Sequence, residues 1–407
     1  MKKLNVFFCG WGQRWLLGTL ADNGTDLLFE YSPEALAQGL ELSPRTLKLR
    51  PQAYGDFPAH QHRLPGLVAD ALPDGWGLLL MDRLLAQQGI ERSQISPLDR
   101  LAFLGERTMG ALVFAPASEG GLPQADLDLL ALAREAKAVV AGKESAALRQ
   151  LVLLGGSPHG ARPKVLVQYD AATGHVSTAD TGPGTPWLVK FQAQNEHKEV
   201  CAMEQLYAQL ARSCLLEMPR TQYFDLGHGL AAFGTERFDR FQGMRVPVHT
   251  LAGALNLNFR EARIGYQTLL RATQLLTQSA AEVKKAFERC VFNVVFNNRD
   301  DHAKNFSFRM DERLHWKLAP CYDLTYNEGP GGEHQMDIEG EGRAPTKAHL
   351  LRLASTNSLE PTWAAQVIDR MADAAGNFTT LAKDYAIRPA TRNTMAKAIA
   401  RNCLRMA

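Results

Sequence analysis

Residues 297 to 305 read NNRDDHAKN, a stretch that holds two adjacent aspartates, a histidine, a lysine and three asparagines. Asn and Asp favour turns and caps over helix interiors, so the segment reads as a loop, with a solvated turn as the plain alternative to a functional cluster. The rest of the chain has to decide between them. Before it, AEVKKAFERCVFNVVFNN (281–298) places Val283, Phe287, Val291, Val294 and Val295 on one helical face, so the loop emerges from the end of a buried helix. After it, NFSFRMDERLHWKLAPCYD (305–323) alternates Phe306 and Phe308, turns through Met310 to Arg313, and alternates back through Leu314, Trp316 and Leu318. That is a hairpin. Its open end brings Asn305 near Asp323, and Asp300 lies five residues before Asn305. Oxygen donors of this kind suit Mg²⁺, which takes one or two carboxylates plus the phosphates of a nucleotide, while the other Asp can accept a hydroxyl proton.

Upstream, PWLVKFQ (186–192) is an apolar strand carrying Lys190 on the face opposite Val189 and Phe191. Fourteen residues on, Glu204 borders a helical stripe of Val200, Met203, Tyr207, Leu210 and Cys214. A lone lysine is usually solvated, yet a strand lysine paired with a helix glutamate is how kinases orient nucleotide phosphates. Earlier still, LLGGSPHGARPKVLVQYD (153–170) gathers Gly155, Gly156, Gly160 and Ser157 ahead of a strand, where free backbone amides could wrap a phosphate. Gly160 is followed by Ala161, so no Walker A loop is present, and the GxGxxG spacing is missing too. A plain glycine turn explains this segment equally well.

The composition of the whole 407-residue chain bounds the answer without naming it. With 45% hydrophobic and 22% charged residues it buries a full core and divides into two or three domains. A balance of 45 Lys+Arg against 43 Asp+Glu supplies no electrostatic drive toward nucleic acid or membrane. No apolar run approaches a spanning helix, and MKKLNVFFCGWGQRW has too short an apolar core for a signal peptide, so a cytoplasmic location is expected. Six scattered cysteines without a CxxC pair predict neither disulfides nor zinc. Three textures follow one another. Residues 1–105 form a β-rich N-terminal subdomain with strands at LNVFFCG, around the Asn23-Gly24 turn and at RTLKLRP, plus a helix opened by Asp70, Pro73 and Asp74 and closed by Gly89. Residues 106–243 form an α/β lobe in which strands return around the helical run at 199–214. Residues 244–407 form a helical lobe with the loop and hairpin. The class is α+β, β-rich at the N-terminal side and mostly helical beyond.

Taken together, these segments resemble the HipA family of serine/threonine kinase toxins from bacterial type II toxin-antitoxin modules. LVADALPDGWG (67–77) resembles the segment closing the family's N-terminal subdomain, and GGSPHGARPKVLV (155–167) its phosphate loop, with Ser157 seven residues before Lys164. WLVKF (187–191), TERFDR (235–240), NRDDHAKNFSF (298–308) and LAPCYDL (318–324) resemble its nucleotide lysine strand, hinge, catalytic loop and second metal segment. The resemblance spans nearly the whole chain and implies a two-lobed, kinase-like fold. It implies Asp300 as the catalytic carboxylate with His302 beside it in the loop, and Asn305 and Asp323 as Mg²⁺ ligands. Lys190 becomes the phosphate lysine, partnered by Glu204; Lys164 helps hold ATP, and Glu236 to Phe238 form the adenine hinge. His302 is expected to hold the loop by a hydrogen bond more than to act as a base, and Asp301 to cap the loop. Many relatives carry two serines at the phosphate loop, whereas Gly156 stands here in place of the first.

The activity implied is transfer of the ATP γ-phosphoryl group to a serine hydroxyl of a protein, by resemblance an aminoacyl-tRNA synthetase, halting translation and growth and linked to persistence. Autophosphorylation at Ser157, a HipB-like helix-turn-helix antitoxin, and DNA contact only through that antitoxin belong to the same expectation. Two other classes stay open: an antitoxin-bound corepressor subunit with residual kinase activity, and a small-molecule kinase built on the same lobes. Intact Lys190, Asp300, Asn305 and Asp323 argue against the first; the loop serine and the N-terminal subdomain argue against the second.

Overall fold

In the computed structural model, residues 1–118, 124–143, 145, 147–155, 158–178, 184–261 and 264–407 are described. The chain begins with β1 (Lys3–Phe8), β2 (Trp15–Asp22) and β3 (Leu27–Tyr31). Period-two alternation buries Leu4, Val6 and Phe8 of β1. Between β2 and β3, the Asn23 Oδ1 accepts from the amides of Thr25 and Asp26 at 2.9 and 2.7 Å, which closes the expected hairpin. A short helix, α1 (Pro33–Gln38), follows, capped by Ser32, whose Oγ accepts from the Ala35 amide at 2.9 Å. RTLKLRP is not a strand. Pro44 and Pro51 bracket it and remove ladder donors, so it folds as turns with an isolated bridge from Ser43 to Leu47.

Next come β4 (Ala53–Tyr54), α2 (Gly66–Ala69), α3 (Gly75–Gln87), α4 (Pro97–Leu104) and β5 (Leu112–Ala115). The first sheet is antiparallel in the order β4-β3-β2-β1-β5. Because β5 pairs with β1, this sheet is completed only at residue 115, beyond the boundary expected at 105. Helix α5 (Leu129–Val140) occupies ground where strands are expected from the sequence, and α6 (Leu148–Gly155) leads into the glycine segment. Leu129, Leu132, Ala133, Ala136 and Val139 are buried at spacings of three and four, so the helical period wins there.

The second sheet is built from β6 (Lys164–Asp170), β7 (His175–Ser177), β8 (Thr185–Phe191), β9 (Thr221–Gly227) and β10 (Leu230–Glu236), in the antiparallel order β7-β6-β8-β10-β9. Between β8 and β9 the chain runs through α7 (Glu199–Ser213), which packs on β9 and β10. A ribbon of β11 (Arg240–Phe241) and β12 (Met244–Arg245) leads into β13 (Val248–Thr250) and α8 (Leu251–Leu255).

The last part contains α9 (Tyr266–Thr277) and α10 (Ala280–Val295), then β14 (Ser307–Met310) and β15 (Trp316–Leu318). The expected hairpin is β14-β15, and β13 joins it as a third strand. Helices α11 (Lys347–Thr356), α12 (Pro361–Gly376), α13 (Phe378–Leu381) and α14 (Pro389–Leu404) finish the lobe. Apolar side chains surround α10, including buried Val283, Phe287, Cys290, Val291 and Phe292, with α9, α12, α14 and β15 packed on it. The C-terminal half of the helix, residues 289–295, is buried throughout and makes a fixed base for the loop that leaves it. Among the described residues no helix is long and apolar enough to cross a membrane.

Candidate active site

Lys190 stands on the middle strand of the second sheet, only 7% exposed, and its ammonium is bound by two carboxylates. Glu204 Oε2 of α7 accepts from Nζ at 2.6 Å, and Asp323 Oδ1 accepts from the same nitrogen. Burial opposes charge on each partner, yet their mutual attraction outweighs it. Lys190 is held above the usual lysine range and Asp323 below the usual carboxylate range. The pair therefore stays ionised at neutral pH. Asp323 adopts a left-handed backbone, φ 55°, immediately past the hairpin, which swings its carboxylate back toward β8.

Glu204 is 3% exposed and more central than a bordering residue. The buried side of α7 includes Cys201, Glu204, Ala208 and Ala211, whereas Val200 and Met203 are only half-buried. The second oxygen of Glu204 accepts from Arg162 Nη1 at 2.9 Å, and Arg162 also pairs with Glu196 at 3.0 Å. Arg162 thus fixes the rotamer of the glutamate that fixes Lys190. Sequence reasoning passed over Arg162; its one signal is its place two residues before Lys164.

Lys164 lies directly opposite Lys190 in the β6-β8 ladder. Its Nζ donates to the His159 carbonyl, and burial, aided by the Lys190 charge, pushes it down to about 8. Ser157 and Gly156 lie outside the described residues. The segment that follows them is clamped by the corner at the start of α3. The Asp74 carboxylate accepts from the Gly160 amide, Trp76 N donates to the Gly160 carbonyl at 3.1 Å, and Trp76 Nε1 donates to the Lys164 carbonyl at 3.0 Å. Gly75 has φ 37°, and a Cβ there would stand 2.7 Å from the Ala161 Cα, so only glycine permits this approach.

The same Asp74 reaches the 300–305 loop. Its Oδ2 accepts from Lys304 Nζ at 2.9 Å, tying the N-terminal subdomain to residues 300–305. Asp300 and Asn305 are joined by a 2.6 Å bond from Asn305 Nδ2 to the Asp300 carbonyl. The amide oxygen of Asn305 is left as its acceptor. Asp300 Oδ1 accepts from Gln335 Nε2 at 2.8 Å, and His302 Nε2 lies 3.8 Å from it. Burial, with the nearby Asp323 and Asp301 charges, pushes Asp300 above the usual carboxylate range while His302 opposes the shift. His302 Nδ1 accepts from the Lys304 amide at 3.2 Å and caps the short turn Ala303–Asn305.

Asp301 faces the other way. Its fully buried carboxylate accepts from Tyr266 Oη at 2.7 Å, His334 Nδ1 at 2.7 Å and the Gln335 amide at 2.8 Å. Successive side chains diverge, so the loop is anchored through Asp301 and presents Asp300. Glu236 does not join the charged cluster. It ends β10 opposite Trp187 and pairs bidentately with Arg220, both distances 2.8 Å. Phe238 lies 5.5 Å, ring to ring, from Tyr322, whose hydroxyl donates to the Lys304 carbonyl at 2.6 Å.

A strand lysine paired to a helix glutamate, facing a loop that carries Asp, Asn and a following Asp, defines a kinase-like two-lobed α+β protein. The chain belongs to the HipA family: residues 10–115 match the HipA N-terminal domain and residues 156–378 the HipA-like C-terminal domain. A protein of Haemophilus influenzae named "Putative kinase" is 30% identical over 152 residues, 35% of this chain and 43% of that protein. "Putative kinase Y4mE" of Sinorhizobium fredii is 26% identical over 261 residues, 60% of each chain. The chain thus spans about half the length of these curated relatives. HipA of Shewanella oneidensis MR-1, solved with HipB and operator DNA, superposes with a TM-score of 0.72 at 18% identity, covering 99% of this chain and 96% of that one.

Proposed function

We propose that this protein is a HipA-type kinase that moves the γ-phosphoryl group of ATP to a serine or threonine hydroxyl of a protein. The observation that carries the reading is the Lys190–Glu204 pair with Asp323 on the same ammonium. In this reading Lys190 holds the nucleotide phosphates and Glu204, braced by Arg162, holds Lys190. Lys164 adds a second cation. The backbone around Glu236 to Phe238 receives the adenine. Asp300 orients the acceptor hydroxyl and takes its proton as the oxygen–phosphorus bond forms and the bond to the ADP leaving group breaks.

Asn305 and Asp323 fit Mg²⁺ by donor chemistry, an amide oxygen and a carboxylate, and would hold it together with the phosphates of ATP. Such a cation neutralises the developing phosphate charge. Among the described residues, no cluster of three or more His, Cys, Asp or Glu side chains could hold a metal without such help. Calorimetry tests this. ATP should bind much more tightly with Mg²⁺ than without, and Asp323→Asn, which tolerates the left-handed backbone, should lose phosphoryl transfer while remaining folded. Equal affinity with and without Mg²⁺, together with an active variant, would overturn the assignment.

Family membership supports a HipB-like antitoxin as partner, an aminoacyl-tRNA synthetase as target class, DNA contact only through the antitoxin, and a cytoplasmic site of action. Ser157, seven residues before Lys164, is proposed as an autophosphorylation site that switches the enzyme off, because a phosphoserine of about −1.5 to −2 charges competes with nucleotide phosphates. After incubation with Mg-ATP, intact mass should show one added phosphate on the wild type, absent from Ser157→Ala and from Asp300→Asn. An unmodified wild type that still phosphorylates other proteins would leave Ser157 a turn residue.

A further inference from the structure

Two elements carry the groups that the proposed transfer needs, and one helix outside the matched family domains touches both. Helix α7 carries Glu204; five residues earlier, in its first turn, stands Glu199, 4% exposed. Its carboxylate receives the Arg388 amide at 2.9 Å, Arg388 Nε at 2.9 Å, Arg388 Nη2 at 2.5 Å and Thr391 Oγ1 at 3.0 Å. Arg388 is the N-cap residue of α14 and Thr391 lies in its first turn. At the other end of α14, Asn402 is 3% exposed. Its Nδ2 donates to the Val294 carbonyl at 2.9 Å and to Asn297 Oδ1 at 3.1 Å, where α10 ends and the loop to Asp300 begins.

We propose that α14 is a strut, with Arg388 and Asn402 as positioning residues that hold the Glu204 helix and the Asp300 loop at a fixed separation. The inference rests on the kinase reading above. A 16-residue helix spans about 24 Å at 1.5 Å per residue, so its two ends address the two lobes separately. Met395, Ala398 and Ile399 in the middle of α14 are buried, and the helix packs on α10, α12 and α13. Loss of either terminal contact therefore leaves the helix in place and frees only what that end holds. The matched family domain ends at residue 378, so the strut belongs to the part of this chain beyond it.

The two ends predict different kinetic losses. Arg388→Ala loosens α7, so Glu204 holds Lys190 less well; the KM for ATP should rise several-fold with a smaller change in kcat. Arg388→Lys, which keeps the charge but not the two guanidinium donors on Glu199 Oε1, should recover part of the loss. Asn402→Ala loosens the Asp300 loop and should lower kcat with KM nearly unchanged. Hydrogen exchange should quicken at 199–213 in the first variant and at 294–300 in the second. If the wild type binds no Mg-ATP, the kinase reading itself fails. If the wild type binds and both variants melt at lower temperature with unchanged KM and kcat, α14 is a structural helix only and the strut is overturned.

Discussion

Asp300→Asn is expected to slow single-turnover phosphoryl transfer on the order of a hundredfold or more, the usual scale for a lost general base. The replacement keeps the side chain's size and an oxygen for the Gln335 amide, which now binds Asp300 Oδ1 at 2.8 Å, so the loop should remain folded. What disappears is the acceptor. Burial and two neighbouring carboxylates raise the proton affinity of Asp300, which suits a group that must take a proton from a serine hydroxyl. Nucleotide affinity by calorimetry should stay near the wild-type value, since Lys190 and Asp323 are untouched. A variant that retains wild-type rate, with Asp301→Asn dead yet fully stable, would put the base one residue later.

Asp301→Ala is expected to fail differently, by unfolding. Its carboxylate is fully buried and serves three donors, and removing one member of such a buried network costs about 3–5 kcal/mol. Tyr266 would keep one partner, because its hydroxyl also accepts from Asn293 Nδ2 at 2.8 Å; His334 and the Gln335 amide would be stranded. Urea unfolding should show a midpoint well below the wild type, and any fraction still folded should retain activity. Loss of rate without loss of stability would contradict the role given to Asp301.

Neighbouring aspartates with opposite duties show what the sequence can and cannot deliver. The spacing of Asp300, Asn305 and Asp323 around an alternating hairpin was readable because turn chemistry and period-two burial are local signals. So was the lysine-to-glutamate step from 190 to 204. Arg162, Asp74 and Gln335 were not readable, because each acts through partners far along the chain, 42, 230 and 35 residues away. Local pattern also misjudged α7. Its apolar stripe implied a peripheral Glu204, but the helix is pressed against a sheet that presents Lys190, and the ion pair draws the glutamate inward. The helix at 129–140 lies where a strand-rich texture extends too far in the sequence pattern, and in RTLKLRP the flanking prolines override an apolar alternation.

The Asp74 corner carries a consequence for how the molecule comes into being. It is made before either loop that it clamps, and 230 residues separate it from Lys304. At a synthesis rate of about 5–20 residues per second, roughly 10–50 seconds pass between their appearances on the ribosome. The N-terminal subdomain can close its sheet in that interval and stand as a finished mould, against which the segment after Ser157 and then the Asp300 loop are cast in turn. Synthesised without that mould, the two lobes would hold Lys190, Glu204, Asp300 and Asp323 but not the Asp74 carboxylate that ties Gly160 and Lys304 to one corner.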